Sequence, residues 1–509
     1  MAESRAKILL VDLPSVSPNE LNLGLASIAA VMRARGHEVH VLDLNNLNVP
    51  GGRARRLRQA LESFGPDVLG VSLFPACRIT YDGARDLLRE VRAARGDRTL
   101  LVAGGVGISV APTDGARAVA GLADICVSGE GEVTFAEIVE KRLAGGPLTG
   151  IAGTVRFEGG QPIQEPMREF IENLDTLPLP AYELFDSVGD TLSEYPMMTS
   201  RGCPFNCIFC LNKTLTRRTF RPRSAENVVD EIAWAKERFK FDALYIWDDH
   251  FSLIRERAEK ICRLMIERTP GLRYYLPDGI RADSVTPEFA RLLKASGCAG
   301  VSVGFEDANP ETFVHIKKGE RYEVILSAIE TLKVAGVRVR ASMVIGLPHT
   351  TYESTRTAMK NMSKLGIHAE WYLATPFPGT EFYDYVMKHG RLLEDPLSLR
   401  ALTFRRVVFD TPEFPKRKRY RAFYEAFAHY SFPENAFYGK VCNPLVQQRN
   451  KLEKYVLSIF TVARYIPERL PAHLWNLARD LVSALGRRFR SLVRFGMFKP
   501  RVRKGAGSP

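Results

Sequence analysis

The segment Arg201-Gly202-Cys203-Pro204-Phe205-Asn206-Cys207-Ile208-Phe209-Cys210 gathers three cysteines within eight residues. Thiolates are the usual ligands of iron–sulfur clusters, and three on one loop can hold three irons of a [4Fe–4S] cube. The fourth iron is then open to a small molecule. A purely electron-transferring cluster would want a fourth cysteine. A structural zinc site would want a second Cys-x-x-Cys pair or histidines at close spacing. No second pair exists here, and the nearest histidine, His250, is far along the chain. Cys262 and Cys298 fall on or beside expected helices and read as packed thiols. Eight cysteines in 509 residues are too few for a disulfide framework.

Such a loop needs rigid elements to hold it. Residues 191–400 alternate expected strands (195–200, 243–248, 274–276, 300–305, 337–345 and 368–374) with helices (225–239, 255–268, 287–296, 322–335 and 352–365). Six strand–helix units predict a partial (β/α)6 barrel of the TIM type, with its chemistry at the strand C-termini. The cysteine loop directly follows the first of these strands. Residues 1–150 alternate as well, with apolar strand runs at 8–13, 39–44, 68–74, 100–104 and 125–129 and helices at 25–35 and 81–94. Near-continuous apolar runs suit a parallel sheet covered on both faces. The expectation is a doubly wound, Rossmann-like α/β domain with its ligand at the strand ends. Residues 151–190, rich in Pro, Gly and Glu, are a linker with one small hairpin near 153–163. Residues 401–509 lose the alternation and read as helical.

The spacing Cys-x3-Cys-x2-Cys, with an aromatic residue before the last cysteine, resembles the radical S-adenosylmethionine (SAM) superfamily over roughly residues 191–390. The resemblance implies that Cys203, Cys207 and Cys210 ligate the cluster. It implies that SAM chelates the open iron, and that one electron cleaves SAM to methionine and a 5′-deoxyadenosyl radical. Phe209 would lie beside the adenine. Trp247-Asp248-Asp249 stands where the family places a contact to the SAM amino group, keeping the acidic residues but not the glycines. Glu306 ends a strand where a polar residue meets the ribose or amino group. Ile345-Gly346-Leu347-Pro348 resembles the apolar strand end at the adenine. Arg281 is a candidate partner of the SAM carboxylate through a bidentate fork.

A doubly wound domain ahead of such a barrel resembles the class with an N-terminal cobalamin-binding domain. Ser72, Gly104-Gly105 and Gly129-Glu130-Gly131-Glu132 carry that resemblance. Glycines at 104 and 105 would let the backbone approach the nucleotide tail, Ser72 would offer a hydrogen bond, and the Gly-Glu-Gly-Glu turn would lie beside the corrin. The loop after the first strand, Asp12-Leu13-Pro14-Ser15-Val16-Ser17-Pro18, departs from the common Asp-x-His-x-x-Gly pattern and has no histidine to place under cobalt. It also lacks a Gly-x-Gly-x-x-Gly fingerprint, which disfavours a dinucleotide. Cobalamin and SAM in one chain imply methyl transfer to an unactivated carbon of a natural-product or lipid-like small molecule. A reductant such as flavodoxin or ferredoxin would supply the electron. The alternatives are a non-methylating cyclase or rearrangement enzyme of the same class and, behind it, a tRNA-modifying enzyme.

The whole-chain composition, 45% apolar and 25% charged, fits a globular protein of two or three domains. No signal peptide or spanning run is legible, so a cytoplasmic location is expected. The net charge is +13, and residues 451–509 alone hold thirteen Lys/Arg against three Asp/Glu. The rest is close to neutral, so no nucleic-acid partner is expected. In the tail, apolar stripes (Leu452 to Ala463, then Leu474 to Phe495) recur at helical spacing and end in arginines and lysines from Arg487 to Lys504. Helices packed on the barrel would account for this, and so would peripheral contact with anionic lipid.

Overall fold

A computed structural model of the chain describes residues 5–14, 20–46, 52–73, 78–192, 194–396 and 405–429. The expected tail stripes, Phe74 and the centre of the loop after the first strand lie outside the described residues. The chain divides into two units, 1–419 and 420–509. In the second, the described residues are those of one helix end.

The first unit opens with β1 (Lys7–Asp12), α1 (Leu23–Ala34), β2 (Glu38–Asp43), α2 (Arg53–Phe64), β3 (Val68–Ser72), α3 (Arg78–Arg95) and β4 (Leu100–Gly104). Then come two short helices, α4 (Val106–Ser109) and α5 (Pro112–Arg117), followed by β5 (Ile125–Val127) and α6 (Gly131–Leu143). The apolar runs read from the sequence are the five parallel strands, ordered β2-β1-β3-β4-β5. Val11, Leu69, Val71, Leu101 and Ala103 fill the core beneath α2 and α3 with Leu57, Leu61, Leu88 and Val91. The side chain of Asn22 caps α1 by accepting from Leu25 N at 3.1 Å. The hairpin expected in the linker forms as β6 (Thr154–Glu158) and β7 (Gln161–Gln164). It is not a free connector feature: β6 pairs antiparallel with β5 and completes a seven-stranded sheet. The chain then stays on this sheet, with Phe185 bridging to Val41 and Arg56 paired to Asp186 at 2.6 Å.

A second sheet follows. After β8 (Tyr195–Met197), a two-residue ladder joins β9 (Ser200–Arg201) to β10 (Arg221–Pro222), with the short α7 (Asn212–Leu215) between them. Next are α8 (Ala225–Arg238), β11 (Leu244–Ile246), α9 (Arg255–Arg268), β12 (Tyr274–Leu276), α10 (Pro287–Ala295) and β13 (Cys298–Glu306). After these come α11 (Pro310–Phe313), α12 (Tyr322–Val334), β14 (Arg338–Ile345), α13 (Tyr352–Leu365), β15 (His368–Leu373) and α14 (Glu381–His389). The six parallel strands lie in chain order, β8-β11-β12-β13-β14-β15, as a partial barrel needs. Side chains alternate between faces along a strand. In β14 and β15 one face is buried under the helices, while Arg340, Ser342, Glu370 and Tyr372 look into the lumen half-covered. The last described helix, α15, is Lys416–His429. Among the described residues no helix is long and apolar enough to cross a membrane.

Candidate active site

The cysteine loop is fastened before it begins. Asp248, at the end of β11, is 1% exposed. Its carboxylate accepts from the backbone N and hydroxyl of Thr199 and from the N (3.2 Å) and Oγ (2.7 Å) of Ser200. Gly202 N donates to Asp249 Oδ2 at 3.1 Å. Gly202 has φ +86°, and a Cβ there would stand 2.0 Å from Thr219 O, so only glycine passes. Farther along, Ile208 N donates to Ile316 O (3.2 Å) and Phe382 N to Ile208 O (3.1 Å). Phe205 lies with the Arg281 guanidinium 3.5 Å from its ring centre and the His250 ring at 5.7 Å.

Cys203, Cys207 and Cys210 are free thiols, each partly exposed. Burial pushes Cys207 up to about 11 and Cys210 up to about 12, and it raises Cys203 as well. They are therefore neutral thiols near pH 7 and become thiolates when a metal takes the proton's place. Among the described residues no three His, Cys, Asp or Glu converge on one point to hold a single ion. Three thiols spread over one loop are the donor set of a cube whose corners are separate irons, and that chemistry fits a [4Fe–4S] cluster.

The residues expected around SAM have the following partners within the chain. Asp248 is turned inward, with its carboxylate on Thr199 and Ser200. Asp249, one residue on, lines the cavity described below. Arg281 is 8% exposed and donates to Asp283, to Lys318 O (2.9 Å) and to Gly319 O (3.1 Å). Glu306, in the left-handed region at φ +64°, is paired with the buried Lys318 at 3.2 Å. Lys318 also meets Glu320 at 3.5 Å. Burial disfavours its charge, but the two carboxylates outweigh burial and raise its pKa. Gly346, at φ +96°, lies against Arg419, whose Nε would be 3.3 Å from a Cβ there. Phe209 stays half-buried on the loop beside Cys210. Tyr274, at the start of β12, is fully buried with its hydroxyl hydrogen-bonded to Ser296.

A cavity of about 820 Å³ lies between the two sheets. Asp12, Ser72, Gly105 and Glu130 line it from the strand ends of the first sheet, and Arg201 and Trp247 from the second. Asp12 accepts from Asn22 Nδ2 at 3.0 Å. Burial pushes Asp12 up to about 8, with Asp43 adding to the rise. Gly105 is required by its own chain. At φ +101°, a Cβ there would meet Leu73 O at 2.8 Å and Ser72 Oγ at 3.0 Å, so its close approach is to β3 of its own chain. Gly104 would make ordinary contact with Val127, and Gly131 packs against Ile28. Gly129 has φ +88°.

The Gly-Glu-Gly-Glu turn faces the second sheet. Glu130 accepts from Arg201 (2.9 Å), from Arg221 (2.7 Å) and from Ile171 N (3.1 Å). Glu132 accepts from Arg201 (2.7 Å) and Ser27 Oγ (2.8 Å). Burial works against the charge on Glu130, but Arg221 and Arg201 outweigh it and hold the carboxyl below its usual range. Sequence reasoning missed Arg201, Arg221 and Lys318. The signal for Arg201 was its place two residues before the first cysteine.

Comparisons with known proteins agree with this layout. The family model of the B12 binding domain matches residues 11–139, and that of the radical SAM superfamily matches 197–362. An uncharacterized methyltransferase of Pyrococcus horikoshii is 30% identical over 380 residues, covering 73% of this chain and 79% of that protein. Among solved structures, the cobalamin-dependent SAM radical enzyme OxsB, with aqua-cobalamin and SAM bound, superposes over 97% of this chain and 82% of its own. Its TM-score is 0.69 at 16% identity, a likeness of fold. The radical SAM methyltransferase TsrM of Kitasatospora setae, with cobalamin and a [4Fe–4S] cluster, covers 74% of each chain at TM-score 0.61 and 19% identity.

Proposed function

Because this chain belongs to the radical SAM enzymes that carry a B12-binding domain, we propose that it moves a methyl group from SAM onto an unactivated carbon of a small natural-product or lipid-like molecule. When bound, the [4Fe–4S] cluster supplies the electron that cleaves SAM, and cobalamin carries the methyl group. Enzymes of this family act on small molecules and draw on an external reductant, which we take to be a flavodoxin or ferredoxin. The reading is supported by one observation above all: a single cavity is walled on one side by the strand ends of the first sheet and on the other by the start of the cysteine loop.

In this reading Cys203, Cys207 and Cys210 hold the cluster. Phe209 packs beside SAM's adenine, and Asp249 meets its ammonium group. Glu306 and the backbone at Gly346 lie at neighbouring strand ends. Ser72, Gly104, Gly105 and Gly129 through Gly131 border the cobalamin. The enzyme's own contribution is to orient and to keep water out, and the half-covered lumen residues Arg340, Glu370 and Tyr372 face the substrate.

The test is anaerobic reconstitution with iron, sulfide, cobalamin, reductant and SAM. Turnover with a lysate of the source organism should yield both 5′-deoxyadenosine and S-adenosylhomocysteine, with a mass gain of one methyl in a small molecule. Cys207→Ala should lose both products and the cluster's iron. Deoxyadenosine without S-adenosylhomocysteine would replace methyl transfer by a non-methylating radical reaction, and full yield from Cys207→Ala would remove the cluster assignment.

A further inference from the structure

The proposed reaction draws on two sheets, and one small set of ion pairs joins them beside the cavity. Arg201 comes two residues before Cys203, and its two terminal nitrogens go to two different carboxylates, Glu130 and Glu132. Glu130 is the N-cap residue of α6, which follows β5 of the first sheet, and Glu132 lies in its first turn. Neither end is loose. Glu132 is also fixed by Ser27 on α1, and Glu130 by Arg221 and Ile171 N. Arg221, in β10, pairs across the ladder with Arg201 itself and lies over Phe170, 4.5 Å from the ring centre. On the other side the backbone of Arg201 is held between Ser200, bonded to Asp248, and Gly202, bonded to Asp249. The side chains of Arg201, Glu132 and Arg221 are 21%, 6% and 7% exposed, so water does little to loosen the set.

We infer that Arg201 is a positioning residue: its fork to Glu130 and Glu132 sets the span between the cofactor borne by the first sheet and the cluster loop of the second. A fork to two fixed carboxylates restrains direction as well as distance, which one ammonium cannot do. The inference rests on the functional reading above, since a span matters only if both sites are filled.

Two measurements test it. The first is the distance between the reduced cluster and cob(II)alamin, read by pulsed EPR in the loaded wild type, Arg201→Met and Arg201→Lys. The expected result is one narrow distance in wild type, a distribution at least about twofold wider in Arg201→Met, and an intermediate width in Arg201→Lys. The second is hydrogen exchange of the unloaded protein. Amides at 129–132 and 199–203 should exchange about tenfold faster in Arg201→Met, with the strands of both sheets unchanged. An unchanged width and unchanged exchange overturn the inference. So does acceleration spread over the whole chain, which would make Arg201 a general stability element. Should Arg201→Met fail to fold, Arg201→Lys is read by the same criteria. A wild type that binds neither cluster nor cobalamin would defeat the functional reading instead, so the two failures are distinguishable.

Discussion

Asp248 shows how a residue beside a reactive centre can matter without touching it. Its two oxygens serve four donors of Thr199 and Ser200 in a place closed to water. Replacing it by alanine leaves those donors buried and unpaired, at a cost on the order of 3 kcal/mol. Asp248→Ala should therefore lower the urea midpoint and reduce iron incorporation together; a variant that loads iron normally would show that the strand end holds itself. Asp12 makes a pH-dependent contribution. Its pKa is raised by burial from an ordinary carboxylate value to about 8. The folded state thus binds its proton more tightly than the unfolded chain does. The associated stability is complete in acid below the unfolded value and is lost as pH rises toward about 8. Asp12→Asn, which keeps an acceptor for Asn22, should raise the melting temperature of the unloaded protein at pH 8.5 more than at pH 5.5. Equal gains at both would show that Asp12 titrates normally.

The regular elements were largely legible because period and length agreed. The strand at Tyr274–Leu276 and the helices Arg255–Arg268 and Tyr352–Leu365 begin and end where their apolar pattern does. The helix Arg53–Phe64 went unread because its charged residues dilute the stripe of Leu57, Leu61 and Phe64. The orientation of Asp248 was legible in principle. It shares parity with the buried Leu244 and Ile246, whereas Asp249 shares parity with the lumen-facing Tyr245 and Trp247. What local pattern could not show is pairing at long range, such as Arg201 with a turn 71 residues earlier, or Arg281 turned back onto the loop of Lys318. The hairpin is a similar case. Its strands were expected, but its docking on β5 depends on an edge formed elsewhere. Val155 is fully buried there opposite Cys126. A fragment of residues 1–150 would expose that edge, while residues 1–188 retain both the hairpin and Phe185. The longer piece should be monomeric and melt cooperatively and the shorter should self-associate, by light scattering and thermal melts; equal behaviour would mean the hairpin adds nothing to the first sheet.

At the scale of the molecule, the excess charge belongs to a stretch outside the described residues. Thirteen basic residues in 451–509 make a contact with anionic lipid testable without a structure. Each is worth about 1 kcal/mol near such a surface. If the tail contacts anionic lipid, full-length protein will co-sediment with anionic but not neutral vesicles, less so as salt rises, and will lose binding when 470–509 are removed. Protein that stays in the supernatant at low salt would make the tail part of the fold or a solvated extension.

The order of strands in the second sheet carries one more consequence. Each of its six strands lies beside the sheet strand that comes before it in the chain. A polypeptide leaving the ribosome can therefore lay the sheet down one unit at a time, never waiting for a distant strand to fill a gap. The strands of the first sheet also come earlier in the chain, so Glu130 and Glu132 leave the ribosome before Arg201 does. The carboxylates that hold the start of the cysteine loop thus precede it in the chain, and the strands β11 to β15 follow it.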